Sequence, residues 1–195
     1  MSDKYDTNRD RVLQVAAELF AKSGYHGTGI SDLGTAVGLG RGALYHYIGS
    51  KETILYEISS RQLAQMNAVA DDLALSEADP EKRLRGLARA LIRNIADHRA
   101  EWTVFFREYN ALTDERRDRI IAERERYESH WRNALEHGIR DGQFHPLPRL
   151  MVKGLLGMFN YSYLWITPTG AETPEEIADE FLDTIITGMR ARHPG

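Results

Sequence analysis

Cysteine is absent from the 195-residue chain, which excludes disulfide bonds and thiolate metal sites. No run approaches the roughly 18 apolar residues that a membrane-spanning helix needs, and the first residues lack the apolar segment of a signal peptide. Proline is scarce, because only 6 are present, at apparent boundaries, and long proline-free intervals separate them. These absences predict an all-α, cytoplasmic protein of one or two domains with no membrane partner.

The patterns that accompany catalysis are also missing. The 7 histidines include no pair four residues apart, as a zinc-protease helix would carry, and no serine stands in a G-x-S-x-G turn. Two glycine triplets, at positions 24, 27 and 29 and at 38, 40 and 42, lack the spacing of a nucleotide loop and follow no predicted strand. We therefore expect no enzyme, no metal site and no cofactor.

Residues 28–52, TGISDLGTAVGLGRGALYHYIGSKE, have the spacing of a helix-turn-helix. Gly34 stands four residues before Gly38, where it removes bulk at a helix crossing, and Gly38 can adopt the left-handed conformation of a tight turn. Apolar residues in helical register flank the turn on both sides: Leu33, Val37, Leu39, Leu44 and Tyr47. An ordinary αα-hairpin with a glycine connector shares part of this pattern. The run that follows favours DNA binding.

A short helix beginning near Gly40 would present four residues outward: Arg41, Ala43, Tyr45 and His46. Gly42 keeps its N-terminal end slim enough for a major groove about 12 Å wide. Ser50 has the character of an N-cap for the next helix, which places Lys51 in a first turn where the macrodipole disfavours a cation. A phosphate partner or simple solvation would each explain that lysine.

The same stretch, preceded by the helical AAELFAKSGYHGT, resembles the N-terminal domain of TetR-family transcriptional regulators. The positions that carry the resemblance are Thr28, Gly38, Gly42, Leu44, Tyr45, Tyr47, Ser50, Lys51 and Glu52. The sequence departs from the family pattern at Gly29, Gly34, Gly40 and Ile48. The resemblance implies an all-α fold of about nine helices. A helix-turn-helix DNA-binding domain of three helices would span residues 1–52, its first few residues flexible, and a ligand-binding and dimerisation bundle would span residues 53–195.

The resemblance also implies a function. The chain would be a ligand-responsive repressor that binds double-stranded operator DNA as a homodimer and is released by a small hydrophobic effector. Similar family members sense acyl or steroid-derived thioesters. The DNA-binding residues would be Arg41, Ala43 and His46 toward base edges, Thr28, Tyr45 and Lys51 on phosphates, and Gly42 between them.

Charge in residues 1–56 is balanced, because six basic residues accompany six acidic ones. This is not the basic surface of a strong nonspecific DNA binder. A single domain should bind weakly, so useful affinity would require two recognition helices in successive major grooves. The balance also keeps a second interpretation open, in which the chain is a helical small-molecule or partner-binding bundle with a non-functional helix-turn-helix.

The segment between Pro148 and Pro168 is apolar nearly all round, and such a helix must be buried on every side. In TetR-like regulators the last two helices form the dimer interface, which implies that residues 148–167 and 174–190 pair with a second copy. Gly154 and Gly157 would allow close approach. The predicted interface residues are Leu155, Met158, Phe181 and Ile185.

Four aromatic residues share one face of a predicted helix: Trp102, Phe105, Phe106 and Tyr109. Core packing is the default explanation of such a stripe. The family resemblance implies instead an effector cavity lined by rigid aromatic side chains. Its predicted lining is completed by Trp131, Phe159 and Tyr163.

Overall fold

The described part of the chain folds into nine α-helices and two short 3-10 helices. It covers residues 2–167 and 169–190, with side chains from residue 8 onward, in a computed structural model. The α-helices are α1 (Ser2–Ser23), α2 (Ile30–Val37), α3 (Arg41–Ile48), α4 (Lys51–Ser76), α5 (Pro80–Asp97), α6 (Arg99–Glu108), α7 (Asp114–Arg140), α8 (Met151–Asn160) and α9 (Pro174–Met189). The 3-10 helices are Tyr109–Ala111 and Tyr161–Leu164. The predicted all-α fold is confirmed.

Prolines and polar caps begin two of the helices. Pro80 opens α5 behind Asp79, whose Oδ1 accepts a hydrogen bond from the Lys82 backbone N–H at 2.9 Å. Pro174 opens α9 behind a capping box in which Thr173 and Glu176 bond each other's backbone N–H groups. These bonds satisfy donors that a first helical turn leaves unpaired.

One compact unit comprises Met1–Leu63 and Arg99–Ala122. In it α1 packs against α2, α3 and α6. The backbone N–H of Tyr25 donates to Glu108 Oε1 at 3.2 Å, and Glu52 Oε1 accepts from both the N–H and the hydroxyl of Thr113 at 3.1 and 2.9 Å. The segment from α6 to the start of α7 therefore belongs to the same unit as the helix-turn-helix.

Two predictions about this unit concern its limits. The predicted flexibility of the first few residues falls on positions 1–7, where residue 1 and the side chains of residues 2–7 lie outside the described residues. The predicted boundary between residues 52 and 53 stays a prediction. Helix α4 continues across it without a break.

The second compact unit comprises Ala64–His98 and Glu123–Gly195, and α5 packs in it against α8 and α9. The apolar face of α5 is fully buried through Leu84, Leu87, Leu91, Ile92 and Ile95. Three arginines spaced four apart lie beside it and pair with acids of α9: Arg85 with Asp179 and Asp183, Arg89 with Asp179, and Arg93 with Glu175. Apolar burial and this charged ladder together fix α9 along α5.

Helix α8 is shorter than the apolar run predicted, because it ends at Asn160 and a 3-10 turn follows. It is not buried on every side within the chain. Its buried residues are Val152, Leu155 and Phe159, while Gly154, Gly157, Tyr161 and Trp165 are exposed. The helix thus has one face in the core of its own unit and one face at the surface.

Candidate nucleic-acid interface

The turn between α2 and α3 is built as the glycine spacing predicts. Gly38 has φ 69° and ψ 32°, in the left-handed region. Its N–H donates to Thr35 O at 3.2 Å, and the N–H of Leu39 donates to Gly34 O at 2.9 Å, which together form a Schellman motif. A Cβ atom at position 34 would lie 2.9 Å from Leu39 O, so the closeness of the turn requires glycine there as well.

Helix α3 presents one continuous exposed face. Leu44 and Ile48, only 0% and 4% exposed, anchor the helix in its unit. The exposed residues are Arg41, Gly42, Ala43, Tyr45 and His46, which the sequence analysis placed outward. The guanidinium carbon of Arg41 lies 5.7 Å from the centroid of the Tyr45 ring. All eight residues of α3 are described, and none of them is acidic.

Two glycines at the start of α3 are not required by the fold. Gly40 is the N-cap, with φ −65° and ψ 155°, a conformation open to any residue. A Cβ atom at Gly40 or Gly42 would meet no described atom within 4 Å. A shallow cavity of about 450 Å³ lies beside Gly40, and its lining residues are Ile30, Ser31, Gly34, Thr35, Gly38, Leu39, Gly40 and Arg41. The protein surface therefore has open space at the N-terminal end of α3.

Thr28 does not face outward, which corrects its predicted role at phosphate. The residue is 3% exposed, and its hydroxyl donates to Gly24 O at 2.9 Å. The physical reason is the turn after α1, where Gly24 has φ 79° and leaves its carbonyl oxygen as an acceptor beneath Thr28. The hydroxyl closes that turn and is not available to DNA.

Lys51 lies at the start of α4, behind the predicted N-cap Ser50, whose Oγ accepts from the Thr53 N–H at 3.0 Å. The Lys51 ammonium is half-buried, 4.4 Å from the centroid of the Tyr25 ring and 6.0 Å from that of Phe20. Burial lowers the pKa of Lys51, and the neighbouring Glu108 carboxylate partly offsets that shift. The sequence analysis offered solvation or a phosphate as the reason that Lys51 is tolerated in the first turn of α4. The structure adds a third reason, a cation–π contact with Tyr25.

Several acidic residues near this surface have partners. Asp10 accepts from Arg61 at 2.7 Å, and Glu57 pairs with Arg9. Asp32 Oδ2 accepts from the backbone N–H of Gly29 at 2.8 Å and so completes the first turn of α2. Hydrogen bonds from the backbone and hydroxyl of Thr113, with further help from Arg116, lower the pKa of Glu52. These four acidic residues are therefore engaged by partners within the protein, and the residues of α3 itself include no carboxylate.

The predicted aromatic lining falls into two groups. In the first unit Trp102 stacks on Phe106 with ring centroids 5.3 Å apart, and Phe105 stacks on Tyr109 at 5.8 Å. In the second unit the Trp131 and Phe159 rings lie 5.4 Å apart, and Tyr163 is half-buried. That the two groups line one effector cavity stays a prediction.

The predicted dimer residues differ in how far they are exposed. Leu155 is only 2% exposed within its own chain, so it packs in the core of that chain. The prediction that it lies in the dimer interface is therefore wrong. Met158, Phe181 and Ile185 are half-buried and remain candidates. Beside them the sequence analysis missed Tyr161 and Trp165, which are 62% and 45% exposed. Their spacing of four with Gly157 continues the open face of α8, a signal that the sequence did carry.

The described residues contain no group of three or more histidine, aspartate or glutamate side chains placed to hold a metal ion. In that same part of the chain, no helix has the length and apolar character needed to cross a membrane.

Comparisons with known proteins agree with this geometry. Residues 12–58 match the family described as bacterial regulatory proteins, tetR family, and residues 77–189 match a tetracyclin repressor-like C-terminal domain. The HTH-type transcriptional repressor KstR2 of Mycobacterium tuberculosis is 27% identical over 192 residues, which cover 97% of this chain and 96% of the relative.

Solved structures extend the likeness to the whole fold. The TetR family transcriptional regulator PfmR from Thermus thermophilus is 35% identical with a TM-score of 0.84, over 91% of this chain and 97% of that one. AibR, solved in complex with isovaleryl coenzyme A and operator DNA, is 27% identical with a TM-score of 0.80, again over 91% of this chain and 97% of that one.

Proposed function

The chain belongs to the TetR family and is a ligand-responsive DNA-binding repressor, and we propose that it reads operator DNA through the exposed face of α3. In this proposal Arg41, Ala43 and His46 face base edges in the major groove, Gly42 lies against the groove wall, and Tyr45 donates to a phosphate. Lys51 adds a phosphate contact from the start of α4. Thr28 is left out because its hydroxyl is already bonded.

The observation that carries the proposal is the unused space at Gly40 and Gly42. Glycine inside a helix costs up to about 1 kcal/mol relative to alanine, and nothing within the described residues requires it at Gly42. Gly40 is the N-cap, where glycine is itself an accepted residue, and its surroundings are equally open. A requirement imposed from outside the chain accounts for the glycine at position 42. The edge of a base pair or the sugar-phosphate wall of a groove would supply that requirement.

The test compares two substitutions at position 42. Gly42→Ala adds one methyl group, and Gly42→Leu adds a side chain that would fill the space between α3 and DNA. We expect both variants to melt at or slightly above the wild-type temperature, because the added atoms meet no protein atom. DNA from around the coding region should bind Gly42→Ala more weakly than wild type, and Gly42→Leu more weakly still, by at least tenfold relative to wild type.

Equal binding of the two variants would contradict this placement of α3. A wild-type protein that fails to bind any such DNA at low salt would favour the second interpretation, a helical binding bundle with a non-functional helix-turn-helix.

We also propose that the chain acts as a homodimer through the exposed faces of α8 and α9. Support comes from the open strip of Gly154, Gly157, Tyr161 and Trp165, because one chain leaves large aromatic surface uncovered there. A Cβ atom at Gly157 would meet nothing within 4 Å in the described part of the chain. Two copies could therefore approach closely along this strip.

Sedimentation of Gly157→Arg tests the dimer. The arginine has room within one chain, so the fold should persist while the dimer dissociates and operator affinity falls. Leu75→Arg is the matched control, because Leu75 is 90% exposed on α4 and lies outside the proposed interface. A wild-type monomer at micromolar concentration, or a dimer that tolerates Gly157→Arg, would refute the proposal.

The effector is proposed to be a small hydrophobic molecule, with an acyl or steroid-derived thioester as the first class to test. The structure of AibR with isovaleryl coenzyme A supports that choice by likeness alone. Isovaleryl coenzyme A and longer acyl thioesters should raise the melting temperature more than free coenzyme A does, and should weaken operator binding. Tight binding that leaves operator affinity unchanged would contradict the regulatory role. The relatives are named repressors, and we propose that this chain likewise acts by binding and not by catalysis.

A further inference from the structure

Five buried polar atoms of the second unit make no regular hydrogen bond among the described residues. One of them, His130 Nε2, lies 3.3 Å from the Asp71 carboxylate. The other four are Asn67 Oδ1, Tyr127 Oη, Trp131 Nε1 and Ser162 Oγ. Their residues are 1%, 5%, 0% and 0% exposed, so bulk water does not reach them. A buried polar group without a partner is unfavourable, and folded proteins contain few of them.

The four residues lie on elements that contact one another within that unit. Asn67 Nδ2 of α4 donates to the carboxylate of Glu123 at 2.8 Å, while Asn67 Oδ1 has no donor within hydrogen-bond distance among the described residues. Glu123, Tyr127 and Trp131 stand four residues apart and so share one face of α7. The Tyr127 and Trp131 rings lie 6.4 Å apart, and Trp131 lies 5.4 Å from Phe159 of α8.

Ser162 follows Phe159 by three residues, in the 3-10 turn Tyr161–Leu164. Its hydroxyl therefore follows, by about one turn, the Phe159 ring that contacts Trp131 of α7. The unit thus combines aromatic surface with several orphaned polar atoms, which is the composition of a binding site for a small molecule.

The donor or acceptor character of the four atoms determines which ligand groups could form hydrogen bonds with them. Trp131 Nε1 can only donate a hydrogen bond, Asn67 Oδ1 can only accept one, and the two hydroxyls can do either. Burial raises the pKa of Tyr127 far above its usual range, and a weak interaction of its hydroxyl with the Trp131 indole N–H offsets part of this. That interaction falls outside regular hydrogen-bond geometry, so both groups can still bond a ligand, and the Tyr127 hydroxyl stays protonated at any physiological pH. None of the four groups carries a charge, and the nearby Glu123 carboxylate would oppose an anion.

We propose that Asn67, Tyr127, Trp131 and Ser162 recognise the uncharged part of an apolar ligand through a carbonyl or hydroxyl oxygen. The inference rests on the proposed effector role, and it names the chemistry read in the interior of the second unit. A carbonyl oxygen would accept from Trp131 Nε1, and a hydroxyl could in addition donate to Asn67 Oδ1. Charged parts of a ligand would have to lie elsewhere.

The first test needs no ligand. Tyr127→Phe and Ser162→Ala each delete one orphaned hydroxyl and should melt at or above the wild-type temperature, because an unpaired polar atom is removed. Thr28→Val is the matched control, since that hydroxyl is buried but donates to Gly24 O, and its loss should lower the melting temperature. If both test variants are destabilised as much as the control, the two hydroxyls have partners and the proposal is overturned.

The second test uses matched probes, 1-indanone against indane and 2-decanone against decane. Each ketone should bind more tightly than its hydrocarbon and should shift the indole N–H resonance of Trp131, assigned by its loss in Trp131→Phe. Tyr127→Phe and Ser162→Ala should weaken the ketones by about tenfold or less each and leave the hydrocarbons unchanged. Ketones that bind no better than hydrocarbons, or that bind the variants equally well, would overturn the proposal.

Neither experiment contains DNA, which separates this inference from the proposed function. Ketone recognition without any operator binding would refute the regulatory role and leave the buried site standing. Operator binding in a protein that ignores the ketones would do the reverse.

Discussion

The Lys51 ammonium lies 4.4 Å from the centroid of the Tyr25 ring, so the cation at the start of α4 rests on an aromatic face contributed by the loop after α1. A cation in the first turn of a helix is disfavoured by the macrodipole, and the ring compensates by about 0.5–1 kcal/mol. Tyr25 in turn is fixed by the hydrogen bond from its backbone to Glu108. The ring therefore holds Lys51 in place before any phosphate arrives.

Lys51→Ala should separate these two roles. We expect a loss of about 1 kcal/mol or less in the free energy of unfolding, from the lost cation–π contact. We also expect weaker operator binding, with the slope of log K against log salt reduced by about one if a phosphate contact is lost. Gel shifts over a salt series measure this. Lys82→Ala, at an exposed lysine of α5, should change neither, and an unchanged salt slope in Lys51→Ala would remove Lys51 from the interface.

Gly38→Ala should destabilise the protein by about 1–2 kcal/mol, because a side chain is strained at φ 69°. Urea unfolding gives the value. Gly42→Ala is the paired control, since it has open space and ordinary helical backbone and should be neutral or stabilising. A Gly38→Ala protein as stable as wild type would show that the Schellman turn is not needed.

Asp179→Asn should weaken the attachment of α9 to α5. Asp179 accepts from Arg89 at 2.8 and 2.6 Å and from Arg85 at 3.0 Å, and the hydrogen bond from Arg89 is the first cause that lowers its pKa. Because these groups are partly exposed, we expect a loss of only about 1 kcal/mol, which shrinks at high salt. Urea unfolding at two salt concentrations tests this. Glu115→Gln removes an exposed pair with Arg119 and should have almost no effect.

Stability should also fall in mildly acidic solution because of His130. Burial lowers its pKa, which Asp71 partly raises and Arg126 lowers further. Below about pH 6.5 the unfolded chain binds a proton that the native chain resists, so the free energy of unfolding decreases as pH falls. His130→Gln should lack this decrease and differ from wild type by a constant amount above pH 8. A wild-type curve that is flat from pH 8 to pH 5.5 would contradict it.

Acidic groups should produce a second, separate decrease. Hydrogen bonds, from Arg93, Thr173 and Arg89 in turn, lower the pKa values of Glu175, Glu176 and Asp179. Their contribution is present above the unfolded values and is lost as pH falls below about 4.5. The decrease assigned to His130 therefore lies at higher pH and can be measured apart from it.

The helix-turn-helix could be predicted from the sequence because its backbone geometry and its core each require particular residue types. Gly34 and Gly38 are needed for close approach and for positive φ, and Leu44 is needed for the core, so their spacing identifies the motif. Thr28 marks the limit of that reasoning. The family pattern has a threonine at this position, but no sequence pattern tells whether its hydroxyl donates outward or to the carbonyl of Gly24.

The remaining misses have a similar cause. The apolar run of residues 148–167 does not show where the α-helix changes to a 3-10 helix, so the 3-10 turn at Tyr161–Leu164 was not predicted. Three polar residues of α4, Ser59, Gln62 and Asn67, are buried alongside its leucines and isoleucines, and the sequence analysis did not predict this. Burial of a polar residue depends on neighbours distant in sequence, which periodicity does not record.

The hydrogen bonds from Thr113 to Glu52, and from Tyr25 to Glu108, join positions 61 and 83 residues apart inside the first unit. That unit is therefore not a contiguous stretch of chain, and a fragment truncated after residue 63 would lack the helix that covers α1. Such a fragment would expose α1 where α6 packs, and would be prone to aggregate. A fragment used to measure DNA recognition should therefore extend at least through Ala122.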